Sequence, residues 1–148
     1  MMNNTTEFSE IYSRFLFKVN DFDLIKIYEE DVNEILFNYL MMACTRFDVC
    51  RNDLSDYDKD FGYFKVQLTN EEITILATHM VCCWLEQHLN SIDLLRNRLN
   101  TKDATFFSPA NLLTAIKGRY NEAMEQARLL TNEYSYKTGN FSGLIKKW

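Results

Sequence analysis

The chain has 148 residues, of which 47% are hydrophobic and 25% charged, a size and composition that predict one globular domain. Its net charge of −5 argues against a general nucleic-acid-binding protein, because neutralising phosphates takes a strongly basic surface. The charge is unevenly spread: residues 1–60 carry 13 acidic and 6 basic side chains, whereas residues 61–148 carry 8 and 10. Two differently solvated faces would produce this asymmetry, and so would head-to-tail contact between identical subunits.

The four cysteines are predicted to be reduced thiols. Cys82 and Cys83 are adjacent and the sequence shows no secretory signal, which argues against a disulfide framework. No apolar run reaches the length of about 18 residues that a membrane span requires. We therefore expect a protein made in a reducing, aqueous compartment, without contact to a membrane. The other two cysteines are Cys44 and Cys50.

Two helices are predicted in the first third of the chain. The first begins near Thr6, where apolar residues start to recur at helical spacing. A polar linker follows at residues 20–23, and the acidic run at residues 29–31 is typical of the first turn of a second helix. The apolar stripe of the first helix comprises Phe8, Ile11, Tyr12, Phe15 and Leu16.

Residues 48–60 are predicted to form a solvent-exposed loop, because they are polar, contain five aspartates and show no apolar period. The spacing of these aspartates does not match an EF-hand, so no metal site is expected. Phe64, Val66 and Leu68 then alternate with polar residues, which predicts a short extended segment near residues 63–68.

A capping box marks the start of the central helix. The Thr69 hydroxyl is expected to accept from the backbone of Glu72, whose carboxylate reaches back to the Thr69 N–H. The apolar stripe that follows is broad, and it is interrupted by Asn90 and Ser91, which indicate either a kink or the start of a short further helix.

The last helix is predicted to start at Ser108 and Pro109, as N-cap and first helical residue, and to run for about 25 residues to near Ser135. The fold class is therefore all-α: a small bundle of about four to five helices over residues 1–135, with an extended C-terminal arm at residues 136–148. That arm is unusually apolar for a terminus, so it either folds back on the core or docks on a partner. Its large apolar residues are Phe141, Leu144, Ile145 and Trp148.

The sequence does not predict an enzyme, a metal site or a cofactor site. His79 and His88 are nine residues apart, about 13 Å along a helix, too far to share one metal ion. Cys82 and Cys83 lack the gap that lets paired thiolates bind zinc. No glycine-rich phosphate loop and no nucleophile elbow are present in the sequence.

Several segments together resemble the neck proteins of tailed phages that infect Gram-positive bacteria, also called head–tail connector or adaptor proteins. The resemblance covers most of the chain and lies in helix-and-turn patterns rather than in a catalytic signature. The segments that carry it are residues 11–15, 35–40, 68–73 through 84–85, 99–103 and 107–111.

This resemblance implies a structural virion protein of the phage neck, made in the host cytoplasm. It implies a homo-oligomeric ring of about twelve copies beneath the portal, which extends the DNA channel without sequence-specific DNA binding. The other partner is a stopper or tail-completion protein. The C-terminal residues Phe141, Leu144, Ile145 and Trp148 are the expected portal-docking residues, and the acidic loop at residues 48–60 is expected to line or rim the channel.

Charged residues offer a further hypothesis for contact between subunits. Basic side chains near the end of the central helix would pair with acidic side chains of a neighbour's loop. These basic side chains lie near Phe106 and Phe107 in the sequence. Basic and aromatic residues in that combination can contact nucleic acid, but a solvated helix surface beside buried aromatic residues has the same pattern. The alternative to a neck protein is a small helical regulator that binds a protein or nucleic acid as a monomer or dimer. The residues of the pairing are Arg96, Arg98 and Lys102 on one side, and Asp53, Asp56 and Asp58 on the other.

Overall fold

Helices account for most of the chain in the computed structural model, which describes residues 4–19, 29–98 and 109–139. The described residues form four helices and three two-residue strands, which confirms the small helical bundle. In chain order these elements are β1 (Thr6–Glu7), α1 (Phe8–Lys18), α2 (Glu29–Arg46), β2 (Tyr57–Asp58), β3 (Tyr63–Phe64), α3 (Asn70–Arg98) and α4 (Pro109–Thr138).

The three strands form one antiparallel sheet in the order β1-β3-β2. Phe64 pairs with Thr6 on one side and with Tyr57 on the other. The Thr6 hydroxyl donates to the Val66 carbonyl at 3.0 Å and accepts from the Leu68 backbone N–H at 2.8 Å. The predicted extended segment is present, but the first helix begins two residues later than expected, because Thr6 and Glu7 pair with β3 instead.

Helix α3 lies at the centre and contacts each of the other three helices. It is continuous from Asn70 to Arg98, so the residues after Asn90 and Ser91 belong to α3 and do not form a separate short helix. Its middle is buried on every side, which is typical of a helix surrounded by others. Besides the predicted stripe, Ile75 and both Cys82 and Cys83 are buried.

Aromatic side chains fill much of the core between the sheet and the helices. The Phe8 and Phe64 rings meet edge to face with centroids 4.9 Å apart, which joins α1 to β3. Phe47 and Tyr134 meet in the same way at 5.0 Å, which joins the end of α2 to α4. Aromatic residues make up 14% of the chain, and internal packing accounts for part of them. Among the described helices, none combines the length and hydrophobicity that crossing a membrane requires.

Helix α4 has 30 residues, somewhat more than predicted, and ends at Thr138 rather than near Ser135. Gly139 follows with φ of +72°, a left-handed conformation that glycine adopts readily at the end of a helix. The expected boundary between the helical domain and the arm, at residues 135–136, thus falls inside the last turn of α4. The arm's docking residues lie outside the described residues.

Two glycines should respond oppositely to alanine. Gly118 is helical and a Cβ there meets nothing within 4 Å, so Gly118→Ala should stabilise the protein by about 1 kcal/mol. Gly62 has φ of +74° and only ordinary contact to Phe8 at 3.9 Å, so Gly62→Ala should destabilise it by about 1–2 kcal/mol through backbone strain. Urea unfolding measures both. A destabilised Gly118→Ala variant would contradict the continuous α4 helix.

Candidate functional site

The turn between β2 and β3 presents an exposed aromatic ring on a fixed support. We call residues 59–62 the hairpin tip. The Asp58 carboxylate accepts from the Phe61 backbone N–H at 3.0 Å, and the Asp58 carbonyl accepts from the Gly62 N–H at 2.9 Å. The Gly62 carbonyl in turn accepts from the Phe8 N–H at 2.9 Å, which fastens the tip to the start of α1. Phe61 is nevertheless 83% exposed.

A cleft of about 490 Å³ lies beside the hairpin tip, between α1 and α2. Its charged rim comprises Glu7, Glu34 and Asp60 opposed by Lys59. The Lys59 ammonium lies 4.7 Å from the centre of the Phe37 ring and 3.6 Å from a Glu34 carboxylate oxygen. The hairpin tip and the cleft therefore present aromatic side chains that are surrounded mainly by acidic residues.

A second exposed aromatic lies near the other end of α1. Phe17 is 81% exposed and, with Ser13, Arg14, Lys18 and Thr74, lines a shallow recess of about 460 Å³ that we call the α1 recess. Two of its five residues are basic, and none is acidic.

Hydrogen bonds to α3 fix the position of the Arg14 guanidinium in the α1 recess. It donates to the Asn70 carbonyl at 3.1 Å, the Asn70 side-chain oxygen at 2.9 Å and the Thr74 hydroxyl at 2.8 Å. These partners are neutral, and among the described residues neither Arg14 nor Lys18 forms an ion pair. The recess is therefore apolar at its centre and positively charged at its edge.

Beneath these surfaces lies a buried carboxylate, Glu72, which is only 1% exposed. One oxygen, Oε1, accepts from the Thr69 N–H at 2.8 Å and from the Asn52 amide at 2.9 Å. The other, Oε2, accepts from the Tyr134 hydroxyl at 2.8 Å and from the Cys50 thiol at 3.2 Å. We call these five residues the Glu72 cluster. Burial opposes the charge of Glu72, but the hydrogen bonds outweigh it and lower the pKa of the carboxyl.

The Cys50 thiol serves as a donor in this cluster. Burial and, to a lesser extent, the hydrogen bond to Glu72 raise its pKa to about 12, so the sulfur keeps its proton at neutral pH. The Tyr134 hydroxyl accepts from the Arg51 backbone N–H at 2.9 Å while it donates to Glu72. The cluster is thus a fully paired structural network.

His79 is buried inside the bundle, whereas His88 is half-buried. Thr131 donates its hydroxyl to the Ala127 carbonyl at 2.6 Å, so it accepts from His79 Nε2 at 3.1 Å, and His79 Nδ1 has no partner among the described residues. Burial, together with the positive charge of Arg46, lowers the pKa of His79 to about 4, and Asp48 opposes this shift. His88 lies against Trp84, with ring centroids 4.5 Å apart.

The described residues contain no group of three His, Cys, Asp or Glu side chains placed to hold a metal ion. Of the acidic residues predicted to pair between subunits, Asp53 accepts from the Ser55 N–H at 3.0 Å and Asp58 fixes the hairpin tip. Both carboxylates thus have local structural roles, whereas Asp56 has an exposed side chain. Arg96 and Arg98 belong to the last turns of α3, whose side chains are not described there. Lys102, Phe141, Leu144, Ile145 and Trp148 lie outside the described residues.

Sequence reasoning missed both exposed rings. Phe61 follows the predicted polar loop, and Asp58 before it and Gly62 after it are residues typical of a tight turn that displays its central residues. Phe17 lies beside the predicted apolar stripe of α1 rather than on it, which is a signal of an exposed position. Leu16, by contrast, was expected on the stripe and is 39% exposed.

Comparison of the chain with protein-family models, with curated proteins and with solved structures found no match. The resemblance to phage neck proteins therefore rests on the sequence segments alone.

The pKa of His79 predicts a pH-dependent stability. The unfolded chain binds a proton at His79 below pH 6.5, whereas the folded chain does so only below about pH 4. Stability should therefore fall as the pH drops through this window, by about 1.4 kcal/mol per unit at most, and His79→Gln should remove this part of the slope while keeping a donor for Thr131. Urea unfolding at several pH values measures it.

The matched control is His88→Gln. Burial also lowers the pKa of His88, but this side chain is only half-buried, so the variant should keep most of the wild-type slope. Equal slopes for the wild type and His79→Gln would show that His79 is not held neutral in the folded protein.

Proposed function

We propose that this protein is a structural subunit of a phage neck, which assembles as a ring between the portal of the DNA-filled head and a stopper, tail-completion or other neck protein. In this proposal the ring continues the DNA channel and makes no base-specific contact. The protein is a virion component made in the host cytoplasm, and its work is binding rather than catalysis.

The observation that carries the proposal is the distribution of exposed apolar side chains. A ring subunit touches a neighbour on each side and a different protein above and below, so it needs several separate contact points. Large aromatic and aliphatic side chains are exposed on α1, at the hairpin tip and along α4. Aromatic residues are enriched at such interfaces. The most exposed of these residues are Phe17, Phe61, Leu129 and Tyr136.

The C-terminal arm supplies the proposed contact with the portal. Residues 140–148 follow directly after α4 and contain four large apolar residues among nine, together with Lys146 and Lys147. A segment of this composition gains affinity by placing its apolar side chains in pockets of a partner. The acidic loop at residues 48–60, with Asp53 and Asp56 exposed, is proposed to rim the channel, where negative charge repels DNA phosphates and prevents adhesion.

Deleting residues 140–148, while keeping Gly139 as the helix-terminating residue, should abolish binding to the portal protein of the same phage. Mass measurement of the protein with and without an isolated portal ring tests this. Circular dichroism should show that the protein keeps its helical fold, because α4 ends at Thr138, before the deleted residues. The control Lys117→Ala, at an exposed polar position on α4, should still bind.

The contradictory result is a full-length protein that remains a stable monomer or dimer and ignores the portal ring. That result would favour the helical regulator instead. In a regulator of that kind the deletion would leave binding of its own target largely intact.

A further inference from the structure

The hairpin tip and the α1 recess each present an exposed aromatic ring, and the charges around the two rings are opposite in sign. The Phe61 ring of the tip lines the cleft whose acidic residues are Asp60, Glu34 and Glu7. The one basic residue among the described residues there, Lys59, is already paired with Glu34. The recess offers the Phe17 ring between two basic residues, Arg14 and Lys18. Since opposite charges around two apolar centres favour their association, these surfaces suit each other as partners.

Both surfaces are held in position before any contact forms. The backbone hydrogen bonds of Asp58 and Gly62 fix the tip, and the bonds from Arg14 to Asn70 fix the positive charge of the recess. Little conformational freedom would be lost when they meet, apart from that of the two exposed rings.

Geometry excludes a contact between the two surfaces of one molecule. The tip is hydrogen-bonded to the backbone of Phe8, whereas Phe17 lies nine residues further along the same helix, about 13 Å along its axis. Because both sites are fastened to α1, a bend of the chain cannot bring them together. The tip of one molecule can meet only the recess of another.

We infer that the hairpin tip of one copy docks in the α1 recess of the next copy, with Phe61 against Phe17 and Asp60 facing Lys18 and Arg14. This contact joins two different surfaces, so it is heterologous and builds a ring or an open chain rather than a closed pair. The inference rests on the proposed ring and identifies the contact between its subunits. It uses different residues from the basic and acidic groups singled out in the sequence.

The two rings act as the central anchor of a larger interface. A side chain as large as phenylalanine buries about 150 Å² or more when it docks, while a standard interface buries about 800 Å² on each partner. A few central aromatic residues typically carry most of the binding energy in an interface of that size. Removing either ring should therefore weaken assembly strongly.

A mixing experiment tests the heterologous contact. Phe61→Asp removes the aromatic ring of the tip, and Phe17→Asp removes the aromatic ring of the recess. Neither substitution should disturb folding, since both side chains are more than four-fifths exposed. Each variant alone should require at least a tenfold higher concentration than the wild type to assemble. An equal mixture should give heterodimers and nothing larger, because the intact tip of one variant fits the intact recess of the other.

Charge reversal gives an independent second arm. Asp60→Lys alone and Lys18→Asp alone should each weaken assembly, and the double variant should recover most of it. Lys117→Asp, the same charge reversal at an exposed position on α4, is the matched control and should assemble as the wild type does. Sedimentation of the free protein, and the number of copies bound per portal ring, give the readouts.

The outcomes separate this inference from the proposed function. If the wild type forms rings or decorates the portal and the Phe61→Asp and Phe17→Asp variants do so equally, the tip–recess contact is wrong and the neck proposal stands. If the wild type neither self-associates nor binds a portal ring, both are wrong. Assembly lost in each variant and restored as heterodimers in the mixture supports the contact.

Discussion

The carboxylate of Glu72 is the interaction on which most of the described fold depends. It caps the first turn of α3 through Thr69, holds the loop after α2 through Asn52 and Cys50, and receives the Tyr134 hydroxyl from α4. A carboxylate buried to 1% exposure is costly unless every lone pair is used, and here each oxygen accepts at least two hydrogen bonds. The same charge that would destabilise an unpaired site therefore ties three separate parts of the chain together.

The exposed surfaces inherit their positions from this arrangement. The loop held by Glu72 continues into β2, where the Asp56 carbonyl accepts from the Lys65 N–H at 2.8 Å and closes the base of the hairpin. The sheet then joins the hairpin to α1, and Arg14 of α1 returns to Asn70 at the start of α3. Successive short contacts thus connect the buried carboxylate to Phe61 and to the α1 recess. A substitution that disturbs the Glu72 cluster should therefore also weaken assembly.

Local patterns in the sequence predicted the helices, the capping box and the start of α2, because each depends on residues a few positions apart. The features that the sequence did not predict depend on residues far apart in the chain. Thr6 belongs to a strand only because Phe64 lies beside it, and Glu72 is a buried centre only because Asn52 and Tyr134 reach it from 20 and 62 positions away. Spacing along one helix carries no information on such partners. The exposure of Phe61 likewise follows from the hairpin that displays it.

A double-mutant cycle between Glu72 and Tyr134 is the most direct test of this account. Glu72→Gln keeps the shape but places an amide donor where two donors already point, and Tyr134→Phe removes one of them; each should cost about 2 kcal/mol of unfolding free energy, and the pair should cost clearly less than the sum. The neighbouring change Glu71→Gln loses only an exposed ion pair with Lys137 and should cost less than about 1 kcal/mol. A Glu72→Gln cost no larger than that of Glu71→Gln, or fully additive costs, would contradict the central role of the buried carboxylate.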